Sequence, residues 1–248
     1  MTIAILFIGN TGAGKSTLLS LLGANFESGV GFRTGVTKEI SEARVKVNGK
    51  EVVLMDVPGL FAPKSKETVE NAKILTTALS KEYDYMLYFV LKASNRGVTD
   101  EEMVMMSKVN ECIRQVGPKS KAKITFRVIV NQIPDDDTYT MYNKYVAQDN
   151  CKSLFNEIEL DDFPFDITVS GVLMIRFIQA QEKAKKDLEI KKVLEQDIRS
   201  HKSFPVFVVK NIAVTKEDVS NFIKALSGLA TVGAGLAFLI LSVAAQKI

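Results

Sequence analysis

Apolar residues fall in short unbroken blocks along this chain, and stretches with helical spacing separate the blocks. Ile3-Ala4-Ile5-Leu6-Phe7-Ile8 is one such block, followed by a Gly-rich loop, and it predicts a buried parallel strand. Lys15 to Leu22, with leucines at 18, 19, 21 and 22, predicts a helix. Glu39 to Val47 alternates as a strand, Asn48-Gly49 is a hairpin turn, and Glu51 to Met55 returns beside it. A helix over Glu67–Ser80 and a continuous apolar strand over Tyr85–Leu91 follow. Thr99 with Glu102 three residues later has the spacing of a capping box. The helix it opens carries Met103, Val104, Met106, Val109 and Ile113, which read as core packing rather than a metal or partner site.

The second half continues the alternation. Ile124–Val130 is a third buried-type strand, Tyr139–Asn156 a helix and Phe165–Val169 the last strand. Alternation of this kind predicts an α/β fold with a mainly parallel sheet covered on both faces. From Val172 to Ser200 a long amphipathic helix is expected, its lysine clusters interleaved with Glu182, Asp187, Glu189 and Glu195 as a solvated face. Phe204–Val209 is apolar and reads equally as a linker, an extra strand or a docking segment.

Composition narrows the function classes. Of the 248 residues, 46% are hydrophobic and 25% charged, a balance that excludes disorder and collagen-like repeats. Two cysteines, Cys112 and Cys151, supply no disulfide framework and point to a reducing compartment. A net charge of +3 gives no domain-wide basic excess, so nucleic acid is not expected as a partner. His201 is the sole histidine, which argues against His-ligand metal sites and Ser-His-Asp triads. No targeting segment is expected at the amino terminus, because the first apolar run is too short. Near the other end, Ala225–Ala245 is a stretch of 21 uncharged residues between Lys224 and Lys247, long enough as a helix to cross a bilayer core. A membrane anchor is the expectation there, and a helix packed on the domain is the alternative.

Gly9-Asn10-Thr11-Gly12-Ala13-Gly14-Lys15-Ser16 fits the phosphate-loop pattern G-x-x-x-x-G-K-[ST] in its expected context, between a buried strand and a helix. Backbone amides of such a loop turn inward around phosphate, and the positive end of the helix reinforces them. The expected nucleotide contacts are Asn10, Thr11, Gly12, Ala13, Gly14, Lys15, Ser16 and Thr17. Lys15 reaches the terminal phosphates, and the Ser16 hydroxyl is placed to ligate Mg²⁺. Asp56-Val57-Pro58-Gly59 ends the Glu51–Met55 strand, where Asp56 can hold the Mg²⁺ shell and Gly59 can offer its amide to a γ-phosphate. The polar loop Phe26–Lys38 between the two motifs contains Thr34 and Thr37, hydroxyls that can sense Mg²⁺ when triphosphate is bound.

Together with Gly35-Val36-Thr37-Lys38, Leu60 and Arg96-Gly97-Val98-Thr99-Asp100-Glu101-Glu102, these motifs resemble the immune-associated (AIG-type or GIMAP-type) GTPases, relatives of septins and plastid import receptors. The resemblance covers about residues 1–200 and implies a three-layer P-loop GTPase fold with a carboxyl-terminal helical extension. It divides the chain into a P-loop G domain at 1–171, a helical extension at 172–203, a linker or docking segment at 204–221 and a hydrophobic helix at 222–248. It implies Ser16, Thr37 and Asp56 as Mg²⁺ ligands, with GTP and GDP as ligands. It also implies dimers or oligomers formed through the G domain, and a cytosolic membrane surface reached by the tail.

Three departures shape the expected chemistry. GTPases usually read guanine with Asn-Lys-x-Asp, and here Asn131 keeps the first position while Gln132 and Pro134 replace the lysine and aspartate. The Asp135–Asp137 run that follows is readable as a solvated turn, and Ser170-Gly171 is a further candidate lining for the base. Leu60 and Phe61 follow Gly59 where Ras-like enzymes carry a water-positioning glutamine, so hydrolysis should be slow. The family box has one residue between its arginine and threonine, whereas Gly97 and Val98 both intervene here, so Arg96 is either a charge-stabilising finger across a dimer, catalytic alongside Lys15, or a solvated loop arginine. A slow guanine-nucleotide switch is therefore expected. The alternatives are a P-loop ATPase or phosphotransferase, and a nucleotide-sensing module without turnover.

Overall fold

A computed structural model of the chain describes residues 2–26, 38–61, 65–94, 98–115, 124–148, 168–176, 183–208 and 212. Thr34, Thr37, Arg96, Cys151 and the tail 222–248 lie outside these described residues. Along the chain run β1 (Ile3–Ile8), α1 (Lys15–Leu21), β2 (Ser41–Val47), β3 (Lys50–Asp56), α2 (Ser65–Leu79), β4 (Asp84–Lys92) and α3 (Asp100–Cys112). They are followed by β5 (Ile113–Gln115), β6 (Thr125–Ile133), α4 (Asp136–Gln148), β7 (Thr168–Arg176), α5 (Lys183–Ser200) and β8 (Phe204–Val208). The main sheet has the order β2-β3-β1-β4-β6-β7. Its strands are parallel except β2, which returns antiparallel along β3.

Both faces of the central strands are covered, which is why β1 and β4 are apolar without alternation. Ala4, Leu6 and Ile8 of β1 and Tyr85, Leu87, Phe89 and Leu91 of β4 pack with α2, α3 and Tyr142 of α4. Ile5 and Phe7, with Met86, Tyr88 and Val90, pack on the opposite face with Leu18 and Leu19 of α1 and Leu194 and Ile198 of α5. Each fully buried Leu, Ile, Val, Phe or Met among these contributes roughly 1.5–3 kcal/mol through removal from water. The result is the three-layer α/β architecture expected from the alternation. Met103 and Met106 are buried in this core, as core packing requires.

Local signals explain where the elements begin and turn. Asn48 and Gly49 both take positive φ, 53° and 77°, the geometry that a two-residue hairpin of matching twist needs. Thr99 and Glu102 form the full capping box, and Glu102 also accepts the Lys92 amide at 2.8 Å, tying the end of β4 to the start of α3. Asp135 accepts the Thr138 amide at 2.7 Å and so starts α4 at Asp136, ahead of the expected Tyr139. The Asp135–Asp137 run is thus the head of a helix, where negative charge suits the dipole.

Two expectations require correction. The last strand of the main sheet covers Thr168–Arg176, so Val172 lies in a strand and the described helix begins at Lys183, while residues 165–167 of the expected Phe165–Val169 strand lie outside the described residues. A boundary between 171 and 172 therefore cuts β7. The register of β7 on β6 shifts between Phe126 and Arg127, whose partners are Val169 and Gly171. Ser170 is the extra residue of this bulge, and that insertion breaks the strand's periodicity in the sequence. Phe204–Val208 resolves as a strand, pairing antiparallel with β4 and β5.

The bulge serves α5. The Ser170 carbonyl accepts Arg127 Nη1 at 3.0 Å, and its hydroxyl donates to the Phe126 carbonyl at 3.2 Å. Gly171 leaves room for that guanidinium, because a Cβ there would collide with Arg127 Nη1. Arg127 reaches across the sheet to Asp197 of α5 through Nε at 3.0 Å and through Nη2. Tyr88 donates its hydroxyl to the same carboxylate at 2.9 Å. A second tie holds the helix to the hairpin, since Asn48 Nδ2 donates to the Glu195 carbonyl at 2.6 Å and Asn48 Oδ1 accepts Arg199 Nη2 at 3.0 Å.

His201 follows α5 and is buried edge-on against the Tyr88 ring, with centroids 5.4 Å apart. Burial, helped by the Arg127 charge and opposed by Asp197, holds its pKa down at about 4. An unfolded histidine titrates near 6.5, so the native state favours the neutral ring and loses stability as pH falls from about 6.5 towards 4. Urea midpoints measured at pH 7 and pH 4.5 should therefore fall further apart in the wild type than in His201→Phe. Equal pH dependence in the two proteins would remove His201 from this account.

Candidate functional site

At the carboxyl ends of β1, β3 and β6 three loops converge. The phosphate loop runs from Gly9 into α1, and Lys15 is buried there with 6% of its surface exposed. Its Nζ donates to the carbonyls of Gly9 at 3.1 Å and Asn10 at 3.2 Å, which fixes the ammonium under the loop. Burial lowers the Lys15 pKa to about 8, while the nearby Asp56 charge opposes that fall. A cation so poorly hydrated gains strongly from an arriving phosphate.

Asp56 ends β3, fully buried, and accepts the Ser16 hydroxyl at 2.6 Å. The two expected Mg²⁺ ligands within the described residues therefore meet at the head of α1, and their hydroxyl and carboxylate oxygens suit a hard cation. Among the described residues no group of three or more acidic, His or Cys side chains forms a metal cage. Mg²⁺ is usually held by one or two carboxylates together with the phosphates of its nucleotide. When bound, the ion would neutralise charge on the phosphate oxygens.

The segment after Asp56 lies against the phosphate loop. Gly59 is required there, since a Cβ would collide with Thr11 N and the neighbouring Asn10 carbonyl carbon. The Leu60 amide donates to the Gly9 carbonyl at 3.3 Å, and Asn71 of α2 donates to the Gly59 carbonyl at 2.7 Å. Leu60 is buried in the core with α2, and Phe61 packs against the same core. Asn71 was not legible as a site residue, because nothing in its helical context marks it.

From β6, Asn131 donates to the Ala13 carbonyl at 2.8 Å and Gln132 to the Gly12 carbonyl at 2.9 Å. Gln132 takes φ 62°, a left-handed turn that aims its amide at the loop. The glutamine thus keeps a donor where a lysine was expected, and it belongs to the site. Pro134 is exposed, and the next carboxylate, Asp135, is committed to capping α4. The structure brings together residues 10–17, Asp56, Gly59 and Asn131.

A family model described as "50S ribosome-binding GTPase" matches residues 4–132, just over half of the chain. The chain belongs to that GTPase family. It is 31% identical over 134 residues to the GTPase Der of Thermosipho africanus, a match covering 53% of this chain and 29% of that protein. It is 30% identical over 104 residues to the GTPase Era of a Bradyrhizobium species, covering 42% of this chain and 33% of that one. The chain thus spans about a third or less of the length of these curated relatives. A solved structure of Era with MgGDPNP and a segment of 16S ribosomal RNA aligns at 14% identity and TM-score 0.49, covering 88% of this chain and 61% of that one.

This family membership makes the chain a member of the P-loop GTPases, as the motifs led us to expect. It places the chain in the ribosome-binding GTPase family and does not single out the AIG-type branch. It also corrects one expectation drawn from charge. The exclusion of nucleic acid as a partner does not stand, because the family is described by its binding to the ribosome, an RNA particle. A net charge of +3 reports the whole chain and cannot exclude a local contact with RNA.

Proposed function

We propose that this GTPase is a slow switch, whose nucleotide state governs its association with a second copy of the chain and not a fast metabolic turnover. The observation that carries the slow rate is the fate of Leu60 and Phe61. Both apolar side chains are directed into or against the core, so neither orients a water molecule at a γ-phosphate. Lys15, Ser16 and Asp56 would neutralise phosphate charge together with Mg²⁺, and a second protomer would complete the site. The AIG-type resemblance of Gly35–Lys38 and Arg96–Glu102 supports the dimer.

Single-turnover hydrolysis followed against protein concentration tests this reading. The expected result is a rate on the order of 10⁻³ s⁻¹ or below at low concentration, rising as protein is added. A flat rate near zero would leave a nucleotide-sensing module, and a fast rate independent of concentration would refute the slow switch. The family description favours a second reading, in which a ribosomal particle is the partner. Nucleotide-dependent co-sedimentation with purified 50S particles supports that reading, and its absence with either nucleotide argues against it.

A further inference from the structure

The phosphate-loop pattern requires backbone amides, two glycines, a lysine and a hydroxyl, and it leaves the side chains of Asn10 and Thr11 without an assigned task. Both are used, and on the same residue. Asn10 Oδ1 accepts the backbone N–H of Phe61 at 3.3 Å, and Thr11 Oγ1 donates to the Phe61 carbonyl at 3.2 Å. One residue of the segment after Gly59 therefore has both of its backbone polar groups held by phosphate-loop side chains.

We propose that Asn10 and Thr11 are positioning residues for triphosphate recognition: they clamp the main chain of Phe61 and so hold Gly59 in place on the phosphate loop. This rests on the nucleotide-switch reading of the site. In GTPases the segment near the γ-phosphate is ordered by triphosphate and released after hydrolysis, so its ordering opposes triphosphate binding alone. A clamp formed by the protein itself reduces that opposition before the ligand arrives. Diphosphate draws on the loop amides, Lys15 and Ser16, and does not need the segment after Gly59 that the clamp holds. The clamp therefore sets the ratio of triphosphate to diphosphate affinity, and not affinity as such. The fold does not depend on it, because Leu60 remains buried and its amide remains bonded to Gly9.

The test uses the full chain with Mg²⁺ and compares Kd for GMPPNP and GDP in the wild type, Asn10→Ala, Thr11→Val and the double variant. Loss of two hydrogen bonds should lower the ratio of GMPPNP to GDP affinity by about tenfold in the double variant. Thr11→Ser, which returns the hydroxyl, should return the ratio towards the wild type. Thermal unfolding of each variant shows that the fold is kept. Equal weakening of both nucleotides, or no change in either, overturns the clamp while leaving the switch intact. A wild type that binds neither nucleotide overturns the switch and the clamp together.

Discussion

Replacing Asp197 with alanine should lower the stability of the protein by about 3–5 kcal/mol, the usual consequence of breaking a buried ion pair by removing one partner. The carboxylate is 93% buried and takes bonds from Arg127 Nε, Arg127 Nη2 and the Tyr88 hydroxyl. Its loss strands a guanidinium whose side chain is only 16% exposed. Domains as a rule are stable by about 5–15 kcal/mol, so this one change removes a large share. For a chain of this size the melting temperature should drop by about 6–20 °C. The double variant Arg127→Met, Asp197→Leu should recover much of the loss, since apolar replacements of a buried pair are often tolerated. A single variant with an unchanged melting temperature would show that the Arg127–Asp197 pair does not contribute to holding α5.

The second large effect is on ligand binding. Lys15→Ala should weaken binding of guanine nucleotide by about 2–5 kcal/mol, or at least about 30-fold, because it removes the buried partner of the phosphate charge. The ammonium is fixed by the Gly9 and Asn10 carbonyls and already stripped of water, so its pairing with phosphate needs little rearrangement. Isothermal titration with GDP and Mg²⁺ measures the change. The variant should remain folded, because desolvation disfavours the charged lysine in the free protein. Undiminished GDP affinity in Lys15→Ala would move the phosphates away from this loop.

Much of this was readable from the residues alone, for identifiable physical reasons. A continuous apolar strand ending in a glycine loop leaves few folds open, so β1, the phosphate loop and α1 were legible together. Asn48-Gly49 and Thr99–Glu102 were legible because their geometry is local. The long-range parts were not. Arg127 looks like an exposed residue of a strand until Asp197, 70 positions later, is seen to face it. The bulge at Ser170 hid β7, because one inserted residue turns an alternating pattern into a helix-like one. Gln132 was read as a loss of lysine, although the amide it carries still reaches the loop. Charge counted over the whole chain misled about nucleic acid, since binding depends on where charges lie.

The most direct test of the account is competition binding of GDP, GTP, ADP and ATP to the full chain with Mg²⁺. The account expects guanine nucleotides to win, with Asn131 and Gln132 forming a working base loop despite Pro134. Equal or adenine-favoured binding would contradict it, showing that this phosphate loop serves a different nucleotide from the one its family implies.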